Sequence, residues 1–197
     1  SRYNKNIFYI ILFCTFLVLI LIEGYLCKYT KLNFCNESFF FNFWNENGFI
    51  ENDKVIVNSE LIEALKKKFD DKIAIVTGRG FNAISSSLKE ILNQFNVENS
   101  VFLEDESRDL AKPNPQSLIR AMKGLDSKNC LYVGDSMEDM ILAQKASELG
   151  FQATFCGIYG SGKLPEMKKK LFTEHDVPLI VETINQLPDI LIKTPLK

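Results

Sequence analysis

Three acidic side chains follow an apolar stretch in the segment LYVGDSMEDM, residues 131–140. Carboxylate oxygens at the end of a buried strand are suited to a hard cation such as Mg²⁺. Asp135 could instead cap the helix that begins near Met137, and Asp139 could complement the dipole of that helix. The acidic residues Asp135, Glu138 and Asp139 therefore predict a metal site at the end of this strand.

Polar residues also end two earlier apolar stretches, and a lysine lies between them and the acidic cluster. They are Thr77, Gly78 and Arg79 after IAIV, and Glu104 and Asp105 after VFL. Lys112 precedes the proline-fixed turn KPNP, which could direct its ammonium group to the same region. Hydroxyl and backbone N–H groups bind phosphoryl oxygens, an ammonium group offsets their charge, and carboxylates hold the accompanying metal. These residue types are therefore suited to a phosphate with its Mg²⁺ ion.

The surrounding chain alternates between apolar stretches and amphipathic segments from about residue 58 onwards. Apolar residues recur at helical spacing in residues 59–69 and 81–95. The stretches KIAIV, SVFL, CLYVG, QATFCGIY and PLIV predict buried strands, and a helical segment follows each of them. This order predicts an α/β fold with a mainly parallel sheet covered on both faces. The site is then expected at the carboxyl ends of the strands.

The segments IAIVTGR, KPNP and VGDSMEDM resemble, in order and spacing, the second to fourth motifs of the haloacid dehalogenase superfamily of phosphohydrolases. Their K-P-x-P and G-D-S-x-x-D forms are similar to the phosphoglycolate-phosphatase-like branch. The resemblance covers roughly residues 54–193 and implies a Rossmann-like three-layer sandwich acting on a small phosphorylated metabolite. It implies a phosphate site at Thr77, Gly78, Arg79 and Lys112, with Thr77 and Lys112 as the catalytic residues. It also implies that Asp135, with Asp139 rather than Glu138, supports Mg²⁺.

The chain departs from the superfamily at the first motif, a strand that ends in D-x-D. In the superfamily the first Asp of that motif attacks phosphorus, and the second acts as general acid and base. This sequence contains no D-x-D and no Asp before Asp53. We therefore expect an atypical or missing first strand and cap region, as in a fragmentary sequence, and an almost inactive chain, because losing a nucleophile can lower kcat by ~10⁶. Asp105 is a weak candidate to replace it.

An uncharged apolar run occupies residues 7–22. Extended to Cys27, it is long enough for a membrane helix. We expect residues 1–31 to be a membrane anchor, 32–57 a connector or cap remnant, and 58–197 the core, which would be cytoplasmic. The alternative is a buried helix or strand pair. A related alternative for function is an inactive phosphate-binding or scaffold domain tethered to a membrane.

Composition and a second motif limit the other function classes. The net charge of −2 and the pI of about 5.6 give no basic field for nucleic acid. The five cysteines form no CxxC pair, which predicts reduced thiols rather than disulfides or zinc. The segment GIYGSGKL fits the start of a nucleotide-binding P-loop, but Leu164 stands where that loop needs Ser or Thr. An ordinary strand-to-helix turn is the simpler interpretation.

Overall fold

The apolar stretches of the sequence form the strands of one sheet. The structure is a computed structural model, and it describes residues 9–12, 55–162 and 164–193. The strands in these ranges are β1 (Tyr9–Leu12), β2 (Ile73–Thr77), β3 (Val101–Phe102), β4 (Asn129–Gly134), β5 (Gln152–Ile158) and β6 (Leu179–Val181). Their order is β3-β2-β1-β4-β5-β6, and each neighbouring pair is parallel. Their carboxyl ends therefore lie along one edge of the sheet.

The amphipathic segments form the connecting helices. In the described ranges these are α1 (Ser59–Phe69), α2 (Phe81–Leu88), α3 (Gln116–Gly124), α4 (Met137–Glu148), α5 (Pro165–Glu174) and α6 (Leu187–Lys193). Short 3₁₀-helices follow α2 (Lys89–Gln94) and β3 (Leu103–Asp105), and others lie at Arg108–Leu110 and Ile184–Gln186. The predicted helix over residues 81–95 is therefore shorter, because Lys89 adopts a φ of 50° that interrupts the α-helical backbone.

Two apolar clusters cover the two faces of the sheet. One joins the buried side chains of α1, α2 and α6 to Ile75 of β2 and Val133 of β4. The other joins those of α3, α4 and α5 to Val76 of β2 and Tyr132 of β4. Neighbouring residues of a strand point to opposite faces, so β2 and β4 each contribute to both clusters. This arrangement is a three-layer α/β sandwich, which confirms the predicted fold class.

The strand β1 lies between β2 and β4, within the run that the sequence predicts to be a membrane helix. Ile11 of β1 pairs with Ala74 of β2 on one side and with Tyr132 of β4 on the other. For residues 9–12 the helix prediction is therefore wrong, because their backbone groups belong to the sheet. The remainder of the run, residues 7–8 and 13–22, lies outside the described residues, as does nearly all of the predicted connector. Whether the predicted domain boundaries are correct stays untested.

Two further sequence predictions concern membranes and thiols. Within the part of the chain that the structure describes, no helix has the length and apolar character needed to cross a bilayer. Cys130 of β4 and Cys156 of β5 are buried, free thiols. Burial raises the pKa of Cys156 to about 12 and raises that of Cys130 even further. The prediction of reduced thiols for all five cysteines stays a prediction, and Cys14, Cys27 and Cys35 lie outside the described residues.

Candidate active site

Thr77 is the last residue of β2 and lies at the carboxyl edge of the sheet. Its side chain is buried, and its hydroxyl oxygen accepts a hydrogen bond of 3.2 Å from the backbone N–H of Arg79. Gly78 is exposed between them, and a Cβ atom added there would have no neighbour within 4 Å. The predicted phosphate-binding residues Thr77, Gly78 and Arg79 therefore form one tight turn with open space beside Gly78.

Lys112 approaches the same turn from the loop that precedes α3. Its ammonium nitrogen lies 3.4 Å from the carbonyl oxygen of Val76, the residue before Thr77. The same nitrogen lies 2.7 Å from Oδ1 of Asp139, in the first turn of α4. One lysine thus connects the ends of β2 and β4. The three segments that carry the sequence resemblance are brought together at this lysine.

The contact between Lys112 and Asp139 is a buried ion pair. The side chain of Lys112 is 6% exposed and that of Asp139 is fully buried. Burial lowers the pKa of Lys112 to about 8, while the negative charge of Asp139 acts in the opposite direction. Asp135 and Glu138 also raise this pKa by their charge. The electrostatic environment of Lys112 therefore includes all three acids of the segment GDSMED.

Asp139 is held by three side chains as well as by its own helix. Tyr132 donates its hydroxyl hydrogen to Oδ1 at 3.0 Å. The hydroxyl of Ser136 donates to Oδ2 at 2.7 Å and accepts from the Asp139 backbone N–H, so these two residues form a capping box at the start of α4. The N-cap is therefore Ser136 and not Asp135. Desolvation and the nearby Asp139 carboxylate raise the pKa of Tyr132, so this phenol stays a hydrogen-bond donor.

Asp135 follows β4 directly and makes a different set of contacts. Its Oδ2 accepts a hydrogen bond of 2.8 Å from the hydroxyl of Ser161 and lies 3.1 Å from the ammonium nitrogen of Lys168. The side chains of Asp135 and Lys168 are 15% and 22% exposed. The two acids predicted to share a metal ion thus have different partners, because Asp139 pairs with Lys112 and Asp135 pairs with Lys168.

The loop that carries Ser161 has a shape that depends on two glycines. A Cβ atom at Gly160 would lie 2.4 Å from the carbonyl oxygen of Glu182, and Gly162 has a φ of 100°. Neither position accepts another residue easily, the first for lack of space and the second for its backbone conformation. The described part of the GIYGSGKL segment, residues 157–162 and 164, thus links β5 to α5 and brings Ser161 to Asp135.

Asp105, the weak candidate for a replacement nucleophile, is engaged elsewhere. Its Oδ2 accepts a hydrogen bond of 2.6 Å from the backbone N–H of Phe81, and Oε2 of Glu104 accepts one of 2.8 Å from the N–H of Gly80. Both carboxylates therefore satisfy backbone groups at the N-terminus of α2, where negative charge is favourable. These contacts give Asp105 the role of a helix-capping residue.

The described residues fit Mg²⁺ only if the protein supplies few of its ligands. No group of three or more His, Cys, Asp or Glu side chains in the described ranges is arranged to hold a metal. Mg²⁺, however, keeps several waters and is commonly bound by one or two carboxylates together with substrate phosphate. Asp135, which follows β4 at the edge of the sheet and whose charge acts on Lys112, supplies a carboxylate of this kind. The predicted metal role of Asp139 stays a prediction, and its buried contacts favour a role in holding Lys112.

A parallel α/β sheet with threonine, lysine and aspartate at its carboxyl edge is the arrangement that the resemblance implies for haloacid dehalogenase-like proteins. The chain belongs to the haloacid dehalogenase-like hydrolase family, whose family model matches residues 42–147, more than half of the chain. The recognition made from the three sequence motifs is therefore confirmed at the level of the family. No curated protein matches the chain by sequence.

Two solved structures have a similar fold. One is a candidate phosphoglycolate phosphatase from Lactobacillus plantarum, with a TM-score of 0.54 and 19% identity, covering 72% of this chain and 63% of that protein. The other is a conserved haloacid dehalogenase-like protein of unknown function from Agrobacterium tumefaciens, with a TM-score of 0.50 and 12% identity, covering 80% and 77%. At such identities the likeness concerns the fold. The chain spans less than two thirds of the Lactobacillus protein.

The sequence analysis assigned no role to four residues that contact the predicted site residues. These are Tyr132, Ser136, Ser161 and Lys168. The spacing of Ser136 and Asp139 is similar to that of a capping box, which was a usable signal for Asp139. Tyr132 lies in an apolar stretch, so its sequence pattern is that of an ordinary core residue. Lys168 is one of three consecutive lysines, so its pattern is that of an ordinary surface residue.

Proposed function

We propose that this chain binds the phosphoryl group of a small phosphorylated metabolite at the carboxyl edge of β2 and β4, as part of a Mg²⁺-dependent phosphatase. The observation that carries the proposal is the position of Lys112. Its ammonium group lies between the carbonyl of Val76, next to Thr77, and the carboxylate of Asp139. A cation fixed at the residue that precedes a hydroxyl and an open glycine turn is suited to a phosphoryl group.

Each residue of the site has a distinct part in this proposal. The hydroxyl of Thr77 and the backbone N–H groups around Gly78 and Arg79 would bind phosphoryl oxygens, and Lys112 would offset their negative charge. Asp139 and Tyr132 would hold Lys112 in position. Asp135 would hold Mg²⁺, which when bound supplies positive charge to the transferring phosphoryl group. The phosphoglycolate-phosphatase-like branch is proposed on the motif forms and on the Lactobacillus protein of similar fold.

The attacking group is the part of the site that the sequence does not supply. β1 ends at Leu12, and the next four residues, Phe, Cys, Thr and Phe, include no carboxylate. The aspartyl-phosphate mechanism that the superfamily implies needs an Asp after that strand. We therefore expect this chain to bind phosphate and to hydrolyse phosphomonoesters very slowly.

Binding of inorganic phosphate, measured by calorimetry with the purified chain, tests the phosphate site. We expect Lys112→Met to weaken binding by about tenfold or more, because hydrogen bonds to charged groups contribute about 1.5–3 kcal/mol. Lys145→Met is the matched control, since it removes the same charge from an exposed position of α4. Equal phosphate affinities of the Lys112 and Lys145 variants would refute the site.

Hydrolysis of an aryl phosphate and of phosphoglycolate, with and without Mg²⁺, tests the catalytic part. An Asp135→Asn variant guards against a contaminating phosphatase. Metal-dependent turnover that this variant abolishes would show that the chain itself hydrolyses phosphomonoesters, with an attacking group outside the family pattern. Turnover that is equal in the wild type and the variant belongs to a contaminant.

A second candidate function is phosphate binding without turnover. The absence of a D-x-D from the sequence favours it. It differs from the first candidate in one measurable respect, since saturable phosphate binding would then occur with no hydrolysis at any Mg²⁺ concentration.

A further inference from the structure

Lys168 contacts the carboxylate that is proposed to hold the metal. Its ammonium nitrogen lies 3.1 Å from Oδ2 of Asp135, which is the oxygen that also accepts the hydrogen bond from Ser161. Cations compete for one carboxylate oxygen because each gains from the same negative charge and repels the other. A bound divalent ion and the Lys168 ammonium group are therefore alternatives at this oxygen.

The position of Lys168 does not depend on Asp135 alone. The ammonium group also donates to the carbonyl oxygen of Ser161 at 2.8 Å and lies 3.1 Å from the Ser161 hydroxyl. The loop that presents Ser161 has a conformation that requires glycine at positions 160 and 162. The lysine is thus held in place before any metal binds, and the loop between β5 and α5 provides its site.

The neighbouring lysines of α5 point elsewhere, so the contact is specific to one position of a lysine run. The nitrogen of Lys169 lies 5.1 Å from the ring centre of Tyr159. That of Lys170 lies 3.7 Å from a carboxylate oxygen of Glu174, and its side chain is 75% exposed. Lys170 therefore offers a matched control, because replacing it removes the same charge from the same helix without changing a contact of Asp135.

We infer that Lys168 is an intramolecular cation that competes with a divalent metal for Asp135 and thereby determines the metal affinity of the site. This inference rests on the proposed metal role of Asp135. When a metal is absent, Lys168 balances the charge of Asp135, which would otherwise repel an incoming phosphate. When a metal binds, it displaces the ammonium group, and Ser161 keeps both groups nearby.

Mn²⁺ binding to the full chain, followed by the loss of the EPR signal of free Mn²⁺, tests the inference without any catalytic turnover. We expect Lys168→Met to bind Mn²⁺ about tenfold more tightly than the wild type, since a charge-assisted hydrogen bond no longer opposes the metal. Lys168→Arg keeps the positive charge and is expected to bind like the wild type. Lys168→Gln provides a polar, neutral replacement if the methionine variant does not fold.

The controls separate this inference from the proposed metal site. An equal gain in affinity for Lys168→Met and Lys170→Met would mean that net charge alone is responsible, and it would overturn the inference. Mn²⁺ binding that is lost in Asp135→Asn but unchanged in Lys168→Met would also overturn it, while leaving the metal site intact. Mn²⁺ binding that persists in Asp135→Asn, or is absent from every variant, would overturn the metal site and the inference together.

Discussion

The ammonium nitrogen of Lys112 and the Oδ1 atom of Asp139 lie 2.7 Å apart in a site from which solvent is almost excluded. Tyr132 donates to the same oxygen, and Ser136 occupies the other one. A buried charge is stable only when it is paired and hydrogen-bonded. The acid at position 139 is therefore a structural requirement of the lysine that is proposed to bind phosphate.

We predict that Asp139→Asn lowers the free energy of unfolding by about 3–5 kcal/mol, because it leaves the buried Lys112 ammonium group without its counter-charge. Urea denaturation measures this change. Asp126→Asn, at an exposed loop position, is the control and should lie within about 0.5 kcal/mol of the wild type. The double variant Lys112→Met with Asp139→Asn should recover part of the loss. Additive losses in the double variant would contradict the coupling.

The lowered pKa of Lys112 predicts a pH dependence. Burial brings this pKa to about 8 from its ordinary value of 10.5. Between those values the unfolded chain binds more protons than the folded chain, so the Lys112 contribution to the free energy of unfolding increases with pH in that window. Phosphate affinity should fall in the same window, because the ammonium charge is lost.

The measurement is urea denaturation of the wild type and of Lys112→Met between pH 7 and pH 11. Subtracting one free energy of unfolding from the other cancels the contributions of the other titrating groups. The difference should be constant below pH 8 and move in favour of the wild type as the pH rises above it. A difference that moves in favour of Lys112→Met over the same range would contradict the prediction.

Replacing two glycines near the site by alanine should affect different properties, phosphate binding at one position and stability at the other. A Cβ at Gly78 meets nothing within 4 Å, whereas one at Gly134 would lie 2.6 Å from Cβ of Asp139. We expect Gly78→Ala to keep its stability within about 0.5 kcal/mol but to bind phosphate more weakly, because its methyl group fills the space beside the turn. Gly134→Ala should lose about 1–3 kcal/mol by overpacking. Calorimetry with phosphate and urea denaturation provide the two readouts, and unchanged phosphate binding in Gly78→Ala would place the phosphate elsewhere.

The sequence patterns predicted the core elements well because their periods are distinct. The helix predicted over residues 59–69 occurs at Ser59–Phe69, and it begins where the Asn58 side chain caps the Leu61 N–H at 2.8 Å. The turn after β2 and the acids after β4 lie at the expected edge. The partners of those acids were not predictable, since the choice between Lys112 and Lys168 depends on loop geometry that leaves no periodic signal.

The failure at β1 has a different physical cause. A central strand of a parallel sheet commonly reads as a continuous apolar run, and so does a membrane helix. The length of the apolar run favoured a helix over a strand, because residues 7–22 are many more than an average strand contains. The structure assigns Tyr9–Leu12 to the sheet through its pairing with two neighbours, which are more than sixty residues away along the chain. Pairing of this kind cannot be read from a local pattern.

The central position of β1 gives a direct test of its role. Ile11 pairs with Ala74 and Tyr132, so its backbone lies between two strands. Ile11→Pro removes an N–H group and fixes φ, and we expect it to lower the free energy of unfolding by about 3 kcal/mol or more. Ile11→Val keeps a branched side chain and a normal backbone, so it should retain most of the stability. Urea denaturation of the two variants decides the matter. Equal stabilities of the two variants would mean that the sheet does not need β1, as expected if the run were only an anchor. A loss of stability in the proline variant alone would establish this run as part of the hydrolase core.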